Sequence, residues 1–425
     1  RGGGPVAAGR PREAQAMTRS LERPLVALAL MLAALGLMVL YSAGQTDVTT
    51  QANGIWQRQL VFLVVASGVA VVTARFSFRM LEWAAPWLYG VALLAVTLVI
   101  GTGAGTASGI KSWIAVGPVR LQPVELAKLA TVLMLARWFA GRRVPADSLR
   151  GLIAPIAIVA LPALLVLRQP DLGSAMVFGG IMLATFFWAG VSPMLLLFLL
   201  SPLVSLLLAW STVLWSLWMV VLFLLLLAWR PFIVEAVGVY LANSAMGVLA
   251  IVVWDRLSEF QRARITSFLN PESDPLNRGY QAIQSKIAIG SGGLVGAGFT
   301  EGPQKRSGFI PEHWTDFIFS VVGEEFGFVG VLVVLGLFFA FFMVLVQIAR
   351  RAADPYASLV VFGLIGLLFT HLFENVGMTV SLMPITGIPL PFFSYGGSFL
   401  LATGIAMGLA YRTAREGRAA GYVEA

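Results

Sequence analysis

Residues 193–254 read PMLLLFLLSPLVSLLLAWSTVLWSLWMVVLFLLLLAWRPFIVEAVGVYLANSAMGVLAIVVW, a nearly continuous apolar block. A bilayer accounts for such a block, because a spanning helix takes about 20 apolar residues and satisfies its own backbone across the hydrocarbon. Pro202, Trp210 and the Arg230–Pro231 pair are break points that divide it into three spans. Similar runs occur near 24–44, 56–75, 81–101, 121–140, 150–167 and 172–190 before it, and near 317–349, 355–383 and 396–412 after it. The expected fold is an all-α polytopic membrane protein of 10–12 transmembrane helices: twelve with three spans in the central block, ten with one.

Composition agrees. Of 425 residues, 58% are hydrophobic and 12% charged, against roughly 25% charged in soluble proteins. That balance excludes a soluble globular domain and a disordered chain. The absence of cysteine excludes disulfides, thiolate catalysis and cysteine-bound zinc, and His313 and His371 are too few for a histidine metal centre. No cofactor is expected, and scattered carboxylates say nothing about divalent cations. The net charge of +8 does not mark a nucleic-acid surface. Basic residues sit in short connections, not along a stripe interleaved with aromatics.

Those connections orient the chain, since Lys and Arg are retained on the cytoplasmic side. Arg10, Arg12, Arg19 and Arg23 precede the first run, and Arg75 and Arg79 follow the second. Arg137, Arg142, Arg143 and Arg150 surround the end of the fourth, Arg350 and Arg351 precede the penultimate run, and Arg412, Arg415 and Arg418 follow the last. The alternate loops at 45–55 and 372–395 contain no Lys or Arg. Both termini are expected in the cytoplasm. One span or three in the central block leaves the parity unchanged, so segment 255–316 is expected outside. Residues 1–23 read as a cytoplasmic leader (1–16 lie outside the fold), 24–412 as the transmembrane domain and 413–425 as a cytoplasmic tail. The first run lacks a clear small-residue cleavage site and reads as a retained anchor.

Loops as long as 255–316 are usually functional. Its basic residues are Arg256, Arg262, Arg264, Arg278, Lys286, Lys305 and Arg306, and its acidic ones Asp255, Glu259, Glu272, Asp274, Glu301, Glu312 and Asp316. Residues 281–289 read as an amphipathic helix, with Ile283 and Ile287 on one face, resting on the outer leaflet. Gly290, Gly292, Gly293, Gly296 and Gly298 then read as a flexible stretch, without the Lys-Ser/Thr ending of a phosphate loop. The segment closes on Pro311-Glu312-His313-Trp314-Thr315-Asp316-Phe317-Ile318-Phe319. Asp316 stands where a span begins. Either it serves the helix start as a cap or dipole partner, or it is a general base that takes a hydroxyl proton at a partly dehydrated interface.

Glu125 and Lys128, in Gln122-Pro123-Val124-Glu125-Leu126-Ala127-Lys128, share a helix face at i, i+3. They are either ion-pair glue or the wall of a polar cavity. Lys111, Arg120 and Arg168, the last in Arg168-Gln169-Pro170-Asp171, are outer cations that suit either a solvated loop or a phosphate group. In Leu382–Ser398, Pro384, Pro389 and Pro391 forbid a regular helix. Irregular backbone at membrane depth belongs against protein or along a cavity. With Glu374 and Asn375 shortly before it, this stretch reads as a re-entrant wall or a structural kink. Gly404 and Gly408 read as a packing pair.

The stretches QPVELAKLA, RQPDLGSAM, NPESDPLNRGYQAIQSKIAIGSGGLVGAG, PEHWTDFIFSVVGEEFGFVG and PITGIPLPFFSYGGS together resemble the SEDS family (shape, elongation, division and sporulation) of RodA and FtsW. They run in family order from the fourth span to the last. TGIPLPFFSYGGS looks more like the rod-shape branch than the division branch. The resemblance implies a peptidoglycan glycosyltransferase that polymerises lipid II, a polyprenyl-pyrophosphate-linked disaccharide-pentapeptide, on the outer face of the plasma membrane. The family's essential acid in TDFIF corresponds to Asp316, and its polar pair to Glu125 and Lys128. Arg120, Arg168 and Lys286 are candidate pyrophosphate contacts, and Thr315, Gln281 and Ser394 candidate substrate contacts. The implied partners are a class B penicillin-binding protein (transpeptidase) and other membrane proteins of the elongation machinery.

The chain also departs from the family pattern. About 40 more residues separate Asp171 from the Arg262 region, enough for two spans. Ser112 stands where relatives commonly carry a basic residue, and Trp314 where they often carry histidine. A lipid II flippase and a non-catalytic scaffold are the competing functions. A transporter concentrates its charged residues near the midplane, between repeats, whereas here charge is densest in an outer loop and no internal repeat is evident.

Overall fold

The structure, a computed structural model, describes residues 20–48, 50, 52–102, 104–105, 111–116, 119–142, 148–256 and 279–423. Segment 257–278, which contains Glu259, Arg262, Arg264, Glu272, Asp274 and Arg278, lies outside the described residues, as does Arg143. Among the described residues, nine helices precede that segment: α1 (Glu22–Ala43), α2 (Ile55–Thr73), α3 (Phe78–Thr102), α4 (Pro123–Ala140), α5 (Leu149–Leu167), α6 (Leu172–Trp188), α7 (Pro193–Leu208), α8 (Thr212–Trp229) and α9 (Ile233–Arg256). After it come α10 (Tyr280–Ser291), the one-turn α11 (Pro303–Arg306), α12 (Ile318–Arg350), α13 (Pro355–Thr379) and α14 (Gly397–Val423). Eight of them are long and apolar enough to cross a membrane, and α6 and α7 are shorter apolar helices. The remaining long helices are α14 and α4, which carries Glu125, Lys128 and Arg137.

The central block does form three helices. Ser211 caps α8 by accepting from Leu214 N, and Arg230, in the left-handed region at φ 53, ends it before Pro231. Pro202, expected as a break, instead lies inside α7. Proline lacks the N–H that would reach the carbonyl four residues back, and Ser201 Oγ supplies the missing donor, 2.8 Å from Phe198 O. Between α7, α8 and α9, Asn243 takes Ser205 Oγ at 2.7 Å on its oxygen and donates to Ser201 Oγ at 2.7 Å. Interhelical hydrogen bonds of this kind hold spans together where apolar contact with lipid is equally available.

The centre of the bundle is α13, with 67% of its span window buried against 39% or less in the other candidate spans. It packs against α4, α6 and α12. On the other side α14 lies along α2. A side-chain carbon at Gly404 or Gly408 would sit 2.5 Å from Ala66 O or Ala70 O, so this pair serves close packing. The α14 helix runs on past residue 412 through the stretch read as a tail, where Arg412 and Glu416 pair at 2.5 Å. Helices do not account for everything. Strands β1 (Ala104–Gly105), β2 (Lys111–Val116) and β3 (Val119–Leu121) pair antiparallel ahead of α4.

Two local expectations are corrected. The buried face of α10 is Ala282, Ser285 and Ala288, which packs on α12 and α13, while Ile287 stays exposed. Small residues permit this approach, and Ser285 Oγ reaches Ser320 Oγ at 2.6 Å and Thr379 O at 2.7 Å. The helix therefore rests on protein. Nor is the glycine stretch a loose connection. Gly327, at φ 62, opens the ladder of α12, and residues 293–298 take up the released groups. Phe328 N donates to Gly293 O, Val329 N to Leu294 O, Ala297 N to Glu324 O and Gly298 N to Glu325 O.

Candidate active site

Asp316 does not begin α12. Residues 311–317 form a turn in which the N–H groups of Thr315, Asp316 and Phe317 gather on Glu312 O at 3.1, 3.1 and 3.3 Å. His313 lies buried beneath, with Nδ1 2.8 Å from Ile310 O and Nε2 2.9 Å from Ala43 O. Burial lowers its pKa, the two carbonyls oppose that shift, and the ring fastens the turn to the end of α1. Asp316 itself is half-buried. Desolvation, with the Glu312 carboxylate as a second cause, pushes its pKa up to about 7. A carboxylate so tuned exchanges protons near neutral pH, as a general base requires.

The proline-rich segment closes over this turn. Ser394 Oγ donates to Thr315 O at 2.5 Å and accepts from Leu390 N at 2.8 Å, and Tyr395 N reaches Trp314 O at 2.9 Å. Asn375 Nδ2 donates to Asp316 O at 2.9 Å and to Ile388 O at 2.8 Å. From α2, the buried Gln59 donates to Ser394 O at 3.0 Å and accepts from Gly396 N at 3.3 Å. Side chains of the neighbouring helices thus replace the hydrogen bonds that the prolines remove. Gly387, at φ 73, lies so close that a side-chain carbon there would be 3.2 Å from Asp316 Oδ2.

Below this wall, α4 and α13 bring three buried titratable groups together. Lys128 Nζ is 2.9 Å from Glu125 Oε1 and 3.1 Å from His371 Nε2. His371 Nδ1 is 3.1 Å from Pro389 O, and the ring stacks on Phe399. With Nδ1–H donating to that carbonyl, Nε2 is left to accept from the Lys128 ammonium. Asp171, which caps α6 by accepting from Ser174 N at 2.9 Å, lies in electrostatic range of Asp316, Glu125 and Glu374.

The other expected contacts fall differently. The Ser394 hydroxyl is engaged with backbone, and Thr315 Oγ1 lies 3.2 Å from Glu312 O and 3.3 Å from Glu312 Oε2. Gln281 is half-buried on α10, Lys286 is exposed on the same helix, and Arg168 is exposed at the end of α5. Among the described residues no hydrogen bond or ion pair joins Arg168 or Lys286 to Asp316. Arg120 pairs through its backbone with Ala115, and its side chain lies outside the described residues. Gln59, His371 and the cluster of Ser42, Lys305 and Glu325 escaped the sequence reading. The partners of Gln59, His371 and Ser42 lie hundreds of positions away, and only the placement of so polar a residue as Gln59 in an apolar run could have signalled one of them.

The described helices thus form a polytopic bundle in which the Asp316 turn lies beside the proline-rich wall. The family model described as a cell cycle protein family, FtsW/RodA/SpoVE, matches residues 22–218 and 208–419. The chain belongs to this family. It is 36% identical to the peptidoglycan glycosyltransferase MrdB of Escherichia coli K12 over 86% of this chain and 85% of that one. It is 34% identical to a probable peptidoglycan glycosyltransferase FtsW of Geobacter metallireducens, over 90% and 91%. Among solved structures, a chain of a peptidoglycan synthase complex that coordinates polymerization and crosslinking matches with a TM-score of 0.68 and 32% identity, over 92% of this chain and 97% of that one.

Proposed function

We propose that this chain polymerises lipid II into glycan strands at the outer face of the bacterial plasma membrane. The observation that carries the reading is the Asp316 carboxylate, held beside the re-entrant segment with its pKa raised to about 7. Asp316 takes the proton of the acceptor sugar hydroxyl as that oxygen bonds to the anomeric carbon of the donor. The bond from that carbon to the pyrophosphate oxygen breaks, and polyprenyl pyrophosphate leaves. Glu125 and Lys128 shape the cavity beneath. Arg120, Arg168 and Lys286 meet the pyrophosphate, Gln281 and Thr315 position the sugars, and Ser394 acts through the wall, its hydroxyl held between Thr315 O and Leu390 N. Cytoplasmic termini and an outward site follow from the sorting of Lys and Arg.

The partner in this reading is a class B penicillin-binding protein, supported by the likeness to a chain of a synthase complex, together with other membrane proteins of the elongation machinery. Cell elongation and rod shape are the assigned role, on the strength of TGIPLPFFSYGGS. Division is the second reading, favoured by the FtsW relative at 34% identity. In the test, purified chain with its partner receives lipid II, and glycan length is read on a gel. Polymer from the parent and none from Asp316→Ala supports the enzyme. Equal polymer from both contradicts the role of Asp316, and none from either points to a flippase or a scaffold.

A further inference from the structure

Glu374 lies on α13, one residue before the asparagine that holds Asp316, and is 1% exposed. A carboxylate inside a span is costly and marks a function by default. One oxygen has a structural partner, since Thr386 Oγ1 donates to Glu374 Oε2 at 3.3 Å. The next residue, Gly387, is the one that abuts Asp316 Oδ2. Glu374 and Asp316 therefore flank a single dipeptide of the re-entrant wall.

The other oxygen, Glu374 Oε1, receives no hydrogen bond from the protein, and neither do Asn375 Oδ1 and Glu125 Oε2. All three residues are at least nine-tenths buried. Buried acceptors are ordinarily paired, and leaving one unpaired costs about 1–3 kcal/mol. Glu374 and Asn375 are adjacent on α13, and Lys128, the partner of Glu125, lies in electrostatic range of Glu374, so these unpaired acceptors point to a ligand rich in donors. Among the described residues no three His, Cys, Asp or Glu side chains are grouped to hold a metal ion, and Lys128 already neutralises Glu125. Hydroxyl and amide N–H donors match this set.

We infer that Glu374 is a substrate-contacting residue, whose Oε1, with Asn375 Oδ1 and Glu125 Oε2, accepts hydrogen bonds from the hydroxyls and acetamido N–H of the sugar beside Asp316. This inference rests on the glycosyltransferase reading above. It separates the two carboxylates by role: Asp316 moves a proton, and Glu374 holds the sugar that gives it up.

The test uses full-length chain with Asp316→Asn, so that lipid II binding is read by tryptophan fluorescence without turnover. Adding Glu374→Gln keeps an acceptor oxygen and leaves Kd within about threefold, whereas Glu374→Leu removes it and weakens binding about tenfold or more. Thr386→Val, which frees the carboxylate from its anchor, weakens binding severalfold and serves if the leucine variant does not elute as a single species. Parent-like binding by a well-folded Glu374→Leu, or by Thr386→Val if it must stand in, overturns the inference while leaving the Asp316 assignment intact. Absence of lipid II binding by the Asp316→Asn chain itself removes both.

Discussion

Asn375 Nδ2 lies 2.9 Å from the carbonyl oxygen of Asp316 and 2.8 Å from that of Ile388, so one amide on the central helix ties the candidate base to the wall beside it. Asn375→Leu leaves both carbonyls without this donor, at about 1–3 kcal/mol each. Initial polymerisation rates are expected to fall about tenfold or more, while the chain still elutes as a single species. An unchanged rate would mean that the wall does not position Asp316.

Lys305 and Glu325 form a second tie. Lys305 Nζ is 2.6 Å from Glu325 Oε1 and also donates to Ser42 O, with both charged side chains fully buried. Glu324 accepts from the N–H groups of Gln304 and Lys305, capping α11. Removing one member of a buried pair costs about 3–5 kcal/mol, but removing both costs far less. Lys305→Met should therefore lower Tm sharply in detergent, and adding Glu325→Met should recover much of the loss. A double variant no better than the single one would show that the pair is not coupled.

Proton affinity at Asp316 supplies a pH signature. The base works only when deprotonated, so kcat/KM should rise with pH through an apparent pKa near 7. Glu312→Gln removes a negative neighbour, favours the Asp316 carboxylate and moves this limb to lower pH. Burial, the larger cause, remains, so the shift is partial. Profiles of the two proteins that superimpose would dismiss the Glu312 contribution.

The spans, the helix breaks at Trp210 and Arg230–Pro231, and the Glu125–Lys128 face were legible because each depends on local periodicity or on residues a few positions apart. The role of Pro202 was not. Whether it breaks a helix depends on a donor for Phe198 O, which Ser201 happens to supply. His371 reaches Lys128 across 243 positions and Lys305 reaches Ser42 across 263, separations at which spacing carries no signal. The glycine stretch looked flexible because its partners are backbone groups of α12, released by the left-handed Gly327. Asp316 was found by its position at a span start, but its proton affinity comes from burial that only the folded turn creates.

Gly387→Ala should separate activity from stability. Its φ of 73 disfavours any side chain, by roughly 1–3 kcal/mol, and the added carbon would stand 3.2 Å from Asp316 Oδ2. Polymerisation is expected to drop about tenfold or more while Tm moves by only a few degrees. Full activity would show that the carboxylate does not need this close wall.

The most direct measurement compares the parent with Asp316→Asn, an isosteric change that removes the base. Lipid II binding and the rate of glycan formation are read on the same preparation. The expected result is an unchanged Kd with polymerisation slowed about 100-fold or more, the usual contribution of a general base. Polymerisation by Asp316→Asn at the parent rate would contradict the assignment of Asp316 as the base.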